Sequence, residues 1–344
     1  IICYLSDDKK LNQTTVEALE KMASYSLEHD NQVTVAGKHV DKKYNNGKKD
    51  SVTASYEVEV ILNTDRVQDD RSWYENVITR IGNHAFTSKV NKETYVSEQD
   101  AHQKMAEKAS GDYIMIIHAG DDISSNLAEV FVKGNVHCYD MDTYMITKAF
   151  HDETFGAFRN YKKVTDGEDI KSFYIIDLKS KYDCFPFGFG GVIIRAEAFK
   201  KQSVDPALGL EAERDFMLRL MAKTMKTCFL PYATLTAYEY EEHDNTFYRG
   251  LYMREWYFES VTDFWMPFLQ EMKETYGSIP VFIQYNFMYS IMARFNGNMD
   301  NKNKHVIEEG HGEEYLELIG QAFRLIEENI MLNRNKVKDC ITGD

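Results

Sequence analysis

SEQDAHQKMAEKASGDYIMIIHAGDDISSNL, residues 97–127, is the stretch that decides the fold class. Its first half predicts a helix, because alanines and a methionine recur at the spacing of one helix face before a Ser-Gly stop. Residues 113–117 form a short apolar run, typical of a strand that is covered on both faces. Asp121 and Asp122 follow it. Ligands of open α/β sheets bind beyond the carboxyl ends of the strands, so the stretch predicts an α/β protein with an acidic ligand site there.

The rest of the chain predicts a sheet domain followed by helices. Strands and helices alternate in the N-terminal half, which favours a mostly parallel, Rossmann-like sheet flanked by helices. Aromatic- and Met-rich helical patterns dominate after Gly250. We therefore predict a sheet domain over residues 1–250 and a helical C-terminal domain over residues 251–344. The individual predictions are strands at 1–5, 57–62, 94–96, 142–147 and 175–178, a hairpin signal at 45–47, and helices at 15–28, 73–81, 251–272, 281–295 and 313–331.

Composition excludes several functional classes. The net charge of −15 over 344 residues argues against a nucleic-acid-binding surface. No apolar run reaches membrane-spanning length, and no signal peptide pattern is present. Five scattered cysteines without a CxxC spacing predict neither a zinc site nor a disulfide framework. We expect a cytoplasmic protein, with peripheral membrane contact and homo-oligomer formation left open. Because the chain starts directly on an apolar strand, we also expect it to be a domain of a longer protein.

The opening stretch resembles the GT-A nucleotide-sugar glycosyltransferases, specifically the large inverting family two. That family shows Ala-x-Gly-Asp/Glu-Tyr-Ile, a hydrophobic strand and an acidic cluster of the type Asp-x-Asp-Asp. This chain has ASGDYI at residues 109–114 and HAGDD at residues 118–122. The family's first two acids are replaced by histidine and glycine, so the resemblance implies Asp121 as the metal ligand, with Asp122 second. The alternative is that these acids cap a helix over residues 124–132.

The resemblance also implies where a nucleotide and a donor sugar would bind. In the family, the first two strands end in residues that hold the nucleotide, which points to Ser6, Asp7 and Asp65. Polar residues end many strands, so this reading has an ordinary structural alternative. The family also has a glycine-rich segment before an apolar-apolar-Arg strand, under the donor sugar and the acceptor. Gly190 and Gly191 occupy that place.

A catalytic base and a third metal ligand follow from two later segments. LEAERDFMLRL, residues 210–220, resembles the family's Glu-Asp-x-x-Phe-x-x-Arg-Leu element, whose second acid deprotonates the acceptor hydroxyl. This places Glu213 as the base, with Glu211 and Asp215 as substitutes. Acids are also common at helix starts, where the dipole favours them. His243 takes the position of a family histidine that contributes to metal or diphosphate binding.

The resemblance covers roughly the first 250 residues and implies a metal-dependent hexosyl- or related transferase. It implies a nucleotide-diphosphate sugar as donor, a UDP-sugar above all, with Mn²⁺ or Mg²⁺ as cofactor. The acceptor would be a glycan or a lipid-linked hydroxyl in cell-surface polysaccharide synthesis. Two other classes stay open: a non-catalytic GT-A-like module that binds or scaffolds within a larger protein, and a nucleotidyltransferase. The lack of an N-terminal glycine-rich phosphate loop counts against the latter.

Overall fold

The computed structural model describes the backbone of short N-terminal strands and, with gaps, residues 103–160, 173–239, 250–299 and 306–332. Its strands are β1 (Ile2–Tyr4), β2 (Tyr44–Asn45), β3 (Lys48–Lys49), β4 (Val60–Asn63), β5 (Val90–Glu93), β6 (Tyr113–His118), β7 (Asp122–Ile123), β8 (Thr143–Asp152), β9 (Ala157–Asn160), β10 (Tyr174–Asp177), β11 (Val192–Arg195) and β12 (Lys226–Glu239). Its helices are α1 (Ala196–Lys200), a 3₁₀ helix (Pro206–Glu211), α2 (Ala212–Thr224), α3 (Arg254–Tyr257), a π-helix (Ser260–Trp265), α4 (Met266–Tyr276), α5 (Val281–Met299), α6 (Gly312–Phe323) and α7 (Glu328–Leu332).

One eight-stranded sheet holds most of the described strands, while β2 with β3 and β4 with β5 form separate two-stranded sheets. The order of the eight-stranded sheet is β1-β6-β11-β8-β12-β10, with β7 paired to β12 and β9 paired to β8. β1 runs parallel to β6 and β8 runs parallel to β12, but β11 lies between β6 and β8 and is antiparallel to both. The α/β class is confirmed. The sheet is mixed rather than mostly parallel, since β11 is antiparallel to both of its neighbours. The short apolar run of β11 shows that the strand is buried but does not show its direction.

The longest strand pair changes register part-way along. β8 and β12 pair in parallel, and their register shifts between Leu230 and Thr234. Beyond this shift β12 gains β7 as a neighbour. The predicted strand at residues 142–147 covers only the first part of β8, which continues to Asp152.

Most of the other predicted elements are present in the described part of the chain. The hairpin signal lies between the antiparallel strands β2 and β3. The three predicted C-terminal helical regions are occupied by helices, although α5 continues to Met299, past the predicted end at 295. The predicted helices at 15–28 and 73–81 and the predicted strand at 94–96 lie outside the described residues. None of the helices that are described is long and apolar enough to cross a bilayer.

A single buried cluster joins the sheet to the C-terminal helices. It contains Ile114 of β6, Phe216 of α2 and Trp265 and Phe287 of the helical region. Burial of such side chains stabilises a fold by about 1.5–3 kcal/mol each. The helical region therefore packs on the sheet through apolar contacts, and it can hold elements of the sheet half in place.

One cysteine expectation is corrected. The spacing predicted no disulfide framework, yet Cys138 and Cys228 form a disulfide, with their Cα atoms 6.2 Å apart. Both residues are fully buried. They are separated by 90 positions in sequence. Only the tertiary placement of β12 brings them together, which is why their spacing carried no signal.

Candidate active site

Several candidate segments lie together at the edge of the sheet where the strands β1, β6, β8 and β12, which share one direction, have their carboxyl ends. We call this the carboxyl edge. β6 ends there at His118, and β11 begins there at Val192. Leu235 of β12 pairs with Lys148 of β8 on one side and with Ile123 of β7 on the other. Since neighbouring strands lie about 4.8 Å apart, the backbones of β7 and of Lys148 are separated by about 10 Å. The edge thus combines the acidic segment, the glycine run before β11 and a lysine.

Two glycines of the run 188–191 leave room for the ends of two charged side chains. A Cβ atom on Gly188 would stand 2.5 Å from the Glu213 Oε2 atom, and one on Gly190 would stand 2.7 Å from the Lys148 Nζ atom. Neither separation is compatible with an ordinary side-chain contact. Gly191 has φ +76, a conformation that glycine adopts without strain. The run is therefore a surface against which an acid and an ammonium group both rest.

The residue between these glycines anchors the run to the core. The ring of Phe189 packs against Phe199 and Phe216, with centroids 5.4 Å and 5.3 Å away. All three rings are fully buried. The Ile146 N–H of β8 donates a hydrogen bond of 2.9 Å to the Gly191 carbonyl. The aromatic core on one side and β8 on the other thus fix the position of the glycine run.

Glu213 lies in the first turn of α2 with its carboxylate on the glycine run. Its Oε2 atom accepts a hydrogen bond of 3.0 Å from the backbone N–H of Phe189. The residue is half-buried. The structure therefore brings together three of the residues that the sequence singled out, Glu213, Gly190 and Gly191.

Glu211, the first substitute for the base, has a different environment. It is 2% exposed, and its Oε1 atom accepts hydrogen bonds from Ser260 Oγ at 2.7 Å and Arg294 Nη2 at 2.8 Å. Arg214 Nη1 lies 2.9 Å from Oε2, an ionic contact without the alignment of a hydrogen bond. Burial opposes ionisation, but Arg214 and Arg294 outweigh it and hold the pKa of Glu211 below its ordinary value. This carboxylate is engaged inside the protein and is unsuited to accept a substrate proton.

Asp215, the second substitute, is also engaged away from the glycine run. It is 4% exposed and pairs with Arg219, whose Nε atom lies 2.7 Å from Oδ1. Arg219 also donates from Nη2 to Glu271 Oε2 of α4 at 2.9 Å. Burial raises the pKa of Asp215, and Arg219 opposes that shift in part. Asp215 is therefore engaged within α2 by Arg219, and it is Arg219 that joins α2 to α4.

Lys148 is a site residue that sequence reasoning missed. It is half-buried on β8, and its ammonium group lies against Gly190. The predicted strand ended one residue before it, and a single lysine matches no motif. A basic residue directly after a predicted buried strand was the available signal. An ammonium group at the carboxyl edge is suited to bind an anionic ligand such as a diphosphate.

Solved structures share this arrangement of strands and helices. TarS 1–349 from S. aureus superposes with a TM-score of 0.51 at 9% identity, over 100% of this chain and 87% of that one. The fold is that of a GT-A nucleotide-sugar glycosyltransferase. TarS 1–349 in complex with UDP and with UDP-GlcNAc gives TM-scores of 0.50, at 10% and 9% identity, over 99% and 100% of this chain and 87% of each TarS chain. No family model and no curated protein matches the sequence.

In this GT-A fold, the acidic segment reaches the site through β7. Asp122 lies within that strand, opposite Thr236 of β12, and ahead of the helical residue Leu127. The backbone of Asp122 is thus paired in a strand. Within the described residues, no three His, Cys, Asp or Glu side chains come together as a metal site. The predicted site residues Ser6, Asp7, Asp65, Asp121 and His243, and the side chain of Asp122, lie outside that part of the chain.

Proposed function

We propose that this chain is an inverting glycosyltransferase, which transfers a sugar from a nucleotide-diphosphate sugar to an acceptor hydroxyl. The observation that carries the proposal is the contact of Glu213 with the glycine run at the carboxyl edge of a GT-A sheet. The resemblance assigns this acid and this run to the base and the donor segment, and the fold brings the two together.

Glu213 is the proposed general base. The Phe189 N–H donates to its Oε2 atom and orients the carboxylate. In the reaction, Glu213 accepts the proton of the acceptor hydroxyl, and the hydroxyl oxygen forms a bond to the anomeric carbon. The bond from that carbon to the donor phosphate breaks, and its electron pair leaves with the nucleoside diphosphate. Attack opposite the leaving group inverts the anomeric centre.

Charge at the site supports an anionic donor. The whole chain has a net charge of −15, so a diphosphate must be bound against an unfavourable overall field. Lys148 supplies a local positive charge next to Gly190. Ser6, Asp7 and Asp65 are the proposed nucleotide contacts. A UDP-sugar is the proposed donor, supported by the likeness to TarS, which was solved with UDP and UDP-GlcNAc.

A divalent cation is part of the proposal. Asp121, Asp122 and His243 are the proposed ligands of Mn²⁺ or Mg²⁺, since carboxylate oxygens suit both ions. The backbone of β7 lies at the edge where such a cation would be needed. When bound, the ion would neutralise charge on the departing diphosphate.

The acceptor and the setting are also proposals. The acceptor is a glycan or lipid-linked hydroxyl of cell-surface polysaccharide synthesis, and the division into domains is 1–250 and 251–344. Peripheral membrane contact and a homo-oligomer belong to the same proposal.

One experiment tests the central proposal. Thermal shift with UDP, GDP, CDP and dTDP, each with and without Mn²⁺, is expected to show stabilisation by one nucleotide that requires the metal. The corresponding nucleotide sugar is then expected to release nucleoside diphosphate in the presence of an acceptor. Failure of every nucleotide at millimolar concentration would overturn the proposal.

A second candidate is a non-catalytic GT-A-like binding or scaffolding module. The replacement of two family acids by His118 and Gly120 favours it. Nucleotide binding without turnover, unchanged in Glu213→Gln, would support this candidate instead.

A further inference from the structure

A buried arginine of the helical region connects that region to the start of α2. Arg294 of α5 is 0% exposed. Its Nε atom donates to the Trp256 carbonyl at 2.7 Å, Nη1 donates to the Ser290 carbonyl at 2.9 Å, and Nη2 donates to Glu211 Oε1 at 2.8 Å. The guanidinium also stacks over the Trp256 ring, 4.2 Å from its centroid. All three nitrogens are thus engaged, which gives the group one orientation.

Further polar contacts close this connection into a cluster. Arg294 Nη2 also donates to Ser260 Oγ at 2.6 Å, and Ser260 in turn contacts Glu211. Arg214 of α2 donates to Ser290 Oγ of α5 at 2.9 Å. We call Glu211, Arg214, Ser260, Ser290 and Arg294 the Arg294 cluster. It joins the start of α2, the π-helix and α5.

The cluster lies directly beside the proposed base in sequence and in space. Glu211 immediately precedes α2, and Glu213 is in the first turn of that helix. The backbone of a helical turn is stiff, so a shift of Glu211 displaces Glu213 and its contact with Phe189. We propose that the Arg294 cluster positions Glu213 on the glycine run, so that the C-terminal helices act as a positioning element for the active site. This inference rests on the proposed function for its catalytic meaning.

The type of contact supports positioning rather than simple adhesion. Apolar packing between helices is non-directional, and replacing a buried ion pair by apolar residues is often neutral or stabilising. A forked, charge-assisted contact instead sets distance and orientation. Small displacements of a catalytic group carry large rate penalties, about 10²-fold for 1 Å. The buried Arg294 therefore fixes the distance and orientation of Glu211 relative to α5, which apolar packing alone does not do.

The test is the hydrogen exchange of the Phe189 amide, measured by NMR on the full chain. Its partner is Glu213, so its protection reports the position of that carboxylate. The double variant Glu211→Gln/Arg294→Met removes both partners of the Arg294–Glu211 ion pair together. Arg214 loses its ionic contact with Glu211 but keeps its hydrogen bond to Ser290. We expect the Phe189 amide to exchange about tenfold faster in this variant, approaching its rate in Glu213→Ala. Arg294→Lys keeps the charge but loses the forked guanidinium, and we expect a smaller acceleration of Phe189 amide exchange in this variant. It replaces the double variant if the latter does not fold.

Glu271→Gln is the matched control. It removes the negative charge from the contact between Arg219 of α2 and Glu271 of α4, a second connection of the same helix to the helical region, and leaves the Arg219–Asp215 pair intact. We expect no change at the Phe189 amide in this variant. Unchanged exchange in the double variant would overturn the inference. If the amides of Phe189 and of β12 exchange faster by the same factor, the cluster contributes only to general stability, and the inference is overturned as well.

The readout separates this inference from the proposed function. If the wild-type chain transfers no sugar but the Phe189 amide responds as expected, the proposed function fails and the positioning stands. If the chain is active, the double variant is expected to lower kcat about tenfold or more with little change in donor KM.

Discussion

Glu213 on α2 and Phe189 in the glycine run are joined by a hydrogen bond of 3.0 Å from the Phe189 N–H to the Glu213 carboxylate. The ring of Phe189 is buried in the core while its amide faces the acid. A single residue therefore anchors the run and orients the proposed base. The neighbouring acids Glu211 and Asp215 are held by arginines instead.

Replacing Glu213 by glutamine is expected to lower kcat by about 10²–10⁴-fold, the usual contribution of a general base. Glutamine keeps the size and an oxygen that can accept the Phe189 amide, so folding and nucleotide binding should change little. Donor turnover and thermal shift with nucleotide measure the two effects. Full activity in a folded Glu213→Gln variant would show that the base is another group.

Gly188→Ala is expected to displace the Glu213 carboxylate, because the new Cβ would stand 2.5 Å from it. We expect a fall in kcat of about tenfold or more, since the base loses its orientation. Gly320→Ala is the control, because Gly320 lies in α6 with no atom within 4 Å of its ideal Cβ. That variant should gain about 0.5–1 kcal/mol of stability and keep its activity. Equal behaviour of the two variants would contradict the role of the glycine run.

Lys148→Gln is expected to weaken nucleotide binding roughly ten- to hundredfold, the range of a hydrogen bond to a charged group. Isothermal titration with UDP at low and high salt is the measurement, and the loss should be larger at low salt. Lys201→Gln is a suitable control, since that lysine is exposed and pairs with Glu197 on α1. Identical affinities in wild type and Lys148→Gln would remove Lys148 from the site.

The pH dependence of stability should carry a contribution from Glu211. Its pKa is lower in the folded protein than the ordinary 4.5, so the unfolded state binds more protons between the two values. The free energy of unfolding must therefore decrease as pH falls through this range, and this stabilisation is present above it. Urea unfolding across this acidic range should show a shallower slope with pH in Glu211→Gln than in wild type.

Asp215 should change the pH dependence of stability in the direction opposite to Glu211. Its pKa is raised by burial, so its ionisation destabilises the fold as pH rises. Asp215→Asn should therefore steepen the increase of stability with pH. The same direction of change in both variants would show that the two carboxyls are not in the environments described.

Several features of the site could be predicted from sequence because they depend on local order. The buried run of β6, the acids after it and the glycine run before β11 are each readable within a few residues. The contact of Glu213 with that run was not predicted, because the resemblance implied only a base and a donor segment. Lys148 was missed, because only the pairing of β8 with its neighbours brings it to Gly190.

By itself, the sequence determined the α/β class, the helical character of the C-terminal region and the segments that supply the candidate site. The class and the helical character follow from periodicity and from residue types that act over a few positions, and the site segments follow from the resemblance to the GT-A family. Only the tertiary structure decided the antiparallel insertion of β11, the pairing of Cys138 with Cys228, and the different partners of Glu211, Glu213 and Asp215. Each depends on which distant segments become neighbours, as in the contact of Arg294 with Glu211. Local pattern carries no information on such pairings, because burial and ion pairing are settled by the packing of the whole chain.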